Sequence, residues 1–149
     1  MRDIYNVTKS AQLVEPAVRT SSASAVVMTL DGTFDALNLL FAVGTAGDTL
    51  SASVYIQLKL EASLDGTNFA AVKSADLLGA TADSDGYVVT VDASGEDGKV
   101  YQIGYIGGAK KLKATVAYTG THSNGTATGL IAVMGDKRFS GDFAAPAIA

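Results

Sequence analysis

Residues 101–113 read YQIGYIGGAKKLK, a glycine cluster followed by two lysines. Those are the ingredients of a phosphate-binding loop, which would make the chain a nucleotide enzyme. The loop needs Gly-x-x-x-x-Gly-Lys and then Ser or Thr, with a strand before it and a helix after it. Here Ala109 replaces the second glycine and Lys111 the hydroxyl residue, and strand-like alternation lies on both sides. The residues fit a strand with a close backbone approach at Gly104 and a tight turn at Gly107 and Gly108.

Lys110, Lys111 and Lys113 form the one basic cluster, with Tyr101 and Tyr105 nearby in sequence. Stacking plus phosphate contact is conceivable for such a set, but a solvated strand edge or an acidic partner explains it with less. His122 is the sole histidine, so no histidine cage can hold a metal and any Ser-His-Asp triad would have to use it. It sits in GTHSNGT, a turn-rich loop that gives a catalytic base little to fix its angle. Asp83-Ser84-Asp85-Gly86 begins like a calcium loop but lacks the remaining ligands. With Glu96-Asp97-Gly98 it reads as turn chemistry. No catalytic set, cofactor site or metal site is assigned.

The elements that would position such residues are strands. With 149 residues the chain is one domain, 48% hydrophobic and 17% charged. A net charge of −4 opposes general attraction to nucleic acid or an anionic membrane. The absence of cysteine removes disulfides, and no apolar run is long enough to span a bilayer or act as a secretion signal. The expected site of synthesis is therefore the producer's cytosol.

SVYIQLKLEA places Val54, Ile56, Leu58, Leu60 and Ala62 on one face and polar residues on the other, the period of a half-buried strand. It enters Leu64-Asp65-Gly66-Thr67 and then NFAAV, a hairpin whose Asp-Gly supplies the positive φ. Further strands are expected at 25–30, 36–43, 87–91, 100–106, 112–119 and 128–134, about eight in all, separated by Gly, Asp, Ser and Asn turns. SADLLGA (74–80) is expected to be a single helical turn inside a loop. The implied fold is all-β: a two-sheet antiparallel sandwich, jelly-roll-like, with extended arms at both ends.

The arms are assigned to 1–22 and 136–149, leaving 23–135 as the sandwich. Residues 1–22 show no sustained period, and Pro16 would interrupt a ladder. Both ends carry apolar side chains, Ile4, Tyr5 and Val7 in the first, Phe139 and Phe143 in the second. These segments either reach across a neighbouring subunit or fold back on their own domain.

The ordered pieces MRDIYN, VEPAVRT, LKLEASLDGTNF, ADLLGA, YQIGYIGGAKKLKATVAYTGTH and IAVMGDKR resemble small structural-module proteins of tailed bacteriophages and prophages, of the head decoration or cement type. The match spans about residues 1–138; it departs at Leu112 and Lys113, where members place an aromatic residue and, further on, an arginine. The resemblance implies a virion protein on the head exterior, made in the bacterial cytoplasm, whose partners are the major capsid protein and its own copies as a homotrimer. Nucleic acid and membrane are not expected partners. On this reading Ile4, Tyr5, Val7, Lys110, Lys111, Lys113, Phe139 and Phe143 are the candidate intersubunit or shell contacts. The competing roles are a head–tail connector or tail-tube subunit, and a carbohydrate-binding module using exposed rings among Tyr55, Tyr87, Tyr101, Tyr105 and Tyr118.

Overall fold

A computed structural model of the chain describes residues 8–30 and 34–137. Strand-forming residues alternate along the chain wherever turn residues do not interrupt them, and ten strands result: β1 (Lys9–Arg19), β2 (Val26–Thr29), β3 (Phe34–Ala46), β4 (Tyr55–Ser63), β5 (Ala70–Ala71), β6 (Leu77–Leu78), β7 (Tyr87–Val91), β8 (Lys99–Tyr105), β9 (Lys111–Thr119) and β10 (Thr126–Lys137). One 3-10 turn, Ser74–Asp76, precedes β6. The strands form two antiparallel sheets. The first has the order β1-β10-β3-β8-β6; the second has the order β2-β9-β4-β5, with β7 also paired to β4.

The pairing is nested. β4 pairs with β7, β3 with β8, β2 with β9 and β1 with β10. Such a chain is one long hairpin rolled up so that its strands alternate between two sheets, the jelly-roll arrangement expected from the sequence. β1 and β6 are additions to the strands anticipated.

The core lies between the sheets and follows the period-two pattern. Ile56, Leu58 and Leu60 of β4 are wholly buried, and they meet Leu39 and Phe41 of β3, Ile103 of β8, Val116 of β9 and Leu130 of β10 in one cluster. Each such side chain contributes about 1.5–3 kcal/mol of transfer free energy. No disulfide is available, so this layer carries the stability.

The first arm is corrected by the structure over its described part. Residues 9–19 are an edge strand of their own sheet, from Lys9 opposite Met134 to Arg19 opposite Thr126, and Leu13 and Val14 are buried in the core. The periodicity was hidden by irregular register: the pairing shifts between Gln12 and Val14 and again between Val14 and Ala17. Pro16, which argued against a ladder, occupies that second irregularity on an edge strand, where no amide donor is required. The domain thus extends at least from residue 9 to Lys137, and Ile4, Tyr5, Val7, Phe139 and Phe143 lie outside the described residues.

Two glycines do what their positions demanded. Gly66 has φ 87° in the turn after β4, and a Cβ on Gly104 would lie 3.0 Å from Leu78 Cβ, which is the close approach of β6 to β8.

Candidate interaction face

The outward faces of the two sheets differ in kind. On the second sheet, β4 and β9 alternate core residues with charged or polar ones. Glu61 lies opposite Lys113 and Lys59 opposite Thr115. Lys113 Nζ is 2.7 Å from Glu61 Oε2 and sits 4.9 Å from the centre of the Phe69 ring. Lys59 Nζ is 4.0 Å from Glu61 Oε1 and 5.7 Å from the Tyr87 ring centre. Side-chain exposure of the Lys113–Glu61 pair, 25% and 18%, marks a solvated sheet surface.

The basic cluster is therefore divided. Lys113 is engaged across the sheet, Lys111 pairs with Thr29 and Ser63, and Lys110 belongs to the preceding turn, where its amide donates to the Ser63 carbonyl. β9 is flanked by β2 and β4, so the cluster does not protect an open strand edge as the sequence suggested.

On the first sheet the outward rows from Gly129–Ala42 to Gly135–Ala36 carry no ionic residue on β10, β3, β8 or β6; beyond them the register pairs Lys137 with Phe34, and Glu15 is exposed on the edge strand β1. Directly paired residues share a face, so register gives the rows. One runs Gln12, Ile131, Leu40, Gln102. The next runs Ser10, Val133, Asn38, Gly104, Leu78. A third runs Gly129, Ala42, Val100, and Gly135 faces Ala36 beyond them. Lys99, the charge on β8, falls in the row of core residue Val43 at the sheet's end.

Large apolar side chains stand out of this surface: Val18 is 69% exposed, Val100 63%, Leu78 56%, Ile106 55% and Ile131 36%. Beside Leu78 and Ile106 lies an open groove of ≈ 550 Å³, lined also by Ala36, Asn38, Gly104, Val133 and Gly135. Asn38 Oδ1 is buried there without a hydrogen-bond partner. Single exposed apolar residues are ordinary, but a contiguous uncharged sheet face marks an interaction surface.

The sequence carried this signal, and it was read only as strand. β3 is FDALNLLFAVGTA and β10 is TATGLIAVMGDK, apolar at both parities, whereas β4 and β9 alternate. Apolar residues at both parities give a strand with an apolar side toward the core and another turned outward.

The residues with chemical potential are used locally. His122 is 3% exposed, more deeply placed than its loop suggested. Its Nε2 lies 3.0 Å from the Thr119 carbonyl and its ring packs edge-on against Tyr118. Its Nδ1 has no hydrogen-bond partner, so no carboxylate orients it as a triad would require. Asp83 Oδ1 accepts the amides of Asp85 and Tyr87, and Glu96 Oε2 those of Asp92 and Ala93. No group of three metal-ligating side chains occurs among the described residues. Of the candidate sugar-stacking rings, Tyr105 is buried, Tyr101 donates to the Glu96 carbonyl and Tyr118 donates to that of Thr126.

No protein-family model and no curated protein matches the chain. Among solved structures it is similar to a family two carbohydrate esterase from Cellvibrio japonicus, with TM-score 0.36 and 6% identity over 87% of this chain and 34% of that one. It is also similar to the structure of infectious bursal disease virus Gx strain, with TM-score 0.29 and 14% identity over 85% of this chain and 31% of that one. The chain thus spans about a third of each. Likenesses at this level do not bear on function.

Proposed function

We propose that this chain is a structural protein of a tailed phage particle, a decoration protein that binds the exterior of the assembled head and reinforces it. The observation that supports the reading is the asymmetry of the sandwich. One outward face is laced with charge pairs and suits water; the other is apolar and free of charge over its central rows and gains about 25 cal/mol for each Å² removed from water. A rigid jelly roll presenting such a face loses little conformational freedom on docking, so most of that gain is available for attachment.

On this reading the partners are the major capsid protein and further copies of the chain, three per unit by the resemblance in sequence. The side chains described on the uncharged face replace the lysines as the contact residues. The test is to mix the purified protein with expanded, undecorated heads and examine them by cryo-electron microscopy. Stoichiometric, symmetry-ordered density on the outer surface is expected. Bare heads would reject the proposal, and so would particles lacking the protein that have sound heads but no tails.

A further inference from the structure

We propose that Asn124–Gly125 is a latent deamidation site, kept unreactive by Asp48, and that conversion of Asn124 to an acid unfastens the end of the first sheet. The proposal is independent of the head-binding reading, because it concerns the covalent chemistry of the chain itself.

The chemistry starts from the sequence. Asn6, Asn38 and Asn68 precede Val7, Leu39 and Phe69, whereas Asn124 precedes a glycine. Asparagine is a thermolabile residue, and it reacts through the main-chain nitrogen that follows it. A glycine there has no Cβ to block the approach. In the reaction the Gly125 nitrogen bonds to Asn124 Cγ and the Cγ–Nδ2 bond breaks. Nδ2 takes up the hydrogen that the Gly125 amide gives up and leaves as ammonia, so that a cyclic imide remains. Water then adds to one of the imide carbonyls. Opening at Cγ yields aspartate; opening at the main-chain carbonyl yields isoaspartate, in which the chain runs through the side-chain carbon.

The structure opposes each part of the first step. The hydrogen on the Gly125 nitrogen is donated to Asp48 Oδ2 at 2.9 Å, and a carboxylate beside that nitrogen disfavours the amide anion that attacks, since two negative charges would meet. The leaving group is held as well. Asn124 Nδ2 donates to the Gly47 carbonyl at 3.0 Å and to Asp48 Oδ1 at 3.2 Å, which anchors the side chain on the segment after β3 instead of leaving it to turn toward Gly125. The main chain is pinned on both sides of the reacting nitrogen: the Asn124 amide donates to Asp48 Oδ2 at 3.0 Å, and the Gly125 carbonyl accepts the Gly47 amide at 3.0 Å.

The consequence follows from the same contacts. An acid at 124 replaces the Nδ2 donor with an oxygen that faces the Gly47 carbonyl and the Asp48 carboxylate, so acceptors crowd without a donor and like charges meet. The joint concerned is where Ala46 of β3 and Arg19 of β1 both pair with Thr126 of β10. Three strands of the first sheet share this fastening.

The experiment incubates the full chain in mildly alkaline buffer, native and unfolded in guanidinium, and follows the amide-to-acid mass gain in the peptide that contains Asn124. Native wild type should keep its amide while the unfolded chain loses it. Folded Asp48→Ala should lose it at least about tenfold faster than wild type, the scale of one hydrogen bond to a charged group. It should also lose it faster than wild type brought to the same stability with guanidinium, a comparison that separates a local shield from global unfolding. Asn124→Asp, which reproduces one product, should lower the thermal midpoint and speed hydrogen exchange at Thr126–Thr128, and both effects should shrink in an Asp48→Asn background.

Equal loss of the amide from native and unfolded chains overturns the proposal. So does an Asp48→Ala rate that only tracks stability, or an Asn124→Asp chain with the midpoint and exchange of wild type. If Asp48→Ala does not fold, the Asn124→Asp and Asp48→Asn pair is decisive.

Discussion

Asp48 and Gly125 are 77 residues apart in sequence, yet the Gly125 amide donates to Asp48 Oδ2 at 2.9 Å. The same carboxylate receives the amides of Ser123 and Asn124, so one side chain ties the chain after β3 to the entrance of β10. Two other aspartates act similarly. Asp97 accepts the amide of Ala46 at 2.8 Å. Asp65 accepts the amides of Thr67 and Asn68 and the Asn68 side-chain amide, closing the loop after β4.

These carboxylates make stability acid-sensitive. The amides of Thr67 and Asn68 hold Asp65 far below the ordinary carboxylate range. At Asp48 desolvation raises the value, but the amides of Asn124, Gly125 and Ser123 outweigh it; the amides of Ala46 and Gly95 lower Asp97. A group whose pKa is depressed by folding stabilises fully above its unfolded value, 3.8 here, and that contribution is lost as pH falls through the folded value. Urea midpoints should therefore drop below about pH 4, the unfolded carboxylate range, and Asp65→Ala should flatten that decline while lowering the midpoint at neutral pH.

The core predicts a large, local effect. Leu58 is wholly buried between the sheets, so Leu58→Ala should cost about 2–5 kcal/mol in urea unfolding. A cost under 1 kcal/mol would mean that the β4 face is not in the core.

The Lys113–Glu61 pair predicts a small one. Both partners are part-exposed, and exposed pairs contribute about 0–1 kcal/mol. Lys113→Met should change stability within that range and leave head attachment unaltered. Loss of attachment would return the basic cluster to the contact surface.

Truncation separates an arm from a strand. Removing residues 2–7 spares every described strand, whereas removing 2–14 takes Leu13 and Val14 out of the core and deprives β10 of half its edge partner. The short deletion should keep the cooperative thermal transition and the long one should lower its midpoint by several degrees, as a loss of a few kcal/mol does in a chain of this size.

How far the sequence disclosed this depended on which physical signal each segment carried. β4, with Ile56, Leu58 and Leu60 alternating against Gln57, Lys59 and Glu61, faces core on one side and water on the other, so period alone located it and its burial. β1 was illegible because two register irregularities around Leu13 and Pro16 break the alternation that defines a strand. The uncharged face was present as the loss of alternation in β3 and β10, but a run apolar at both parities locates a strand without saying what covers its second side. His122 showed only its loop, since burial against Tyr118 depends on a contact between side chains.

The nested pairing sets an order of events. β4 and β7 can meet once the stretch between them exists, but β1, the first of the described strands, has β10, the last of them, as its hydrogen-bonded neighbour. A nascent chain paused after β9 would hold Leu13 and Val14 with no strand to dock against, so completion of the first sheet must await the synthesis of β10. Distant closures of this kind are slow, and the interval before closure is when this protein is most exposed to aggregation.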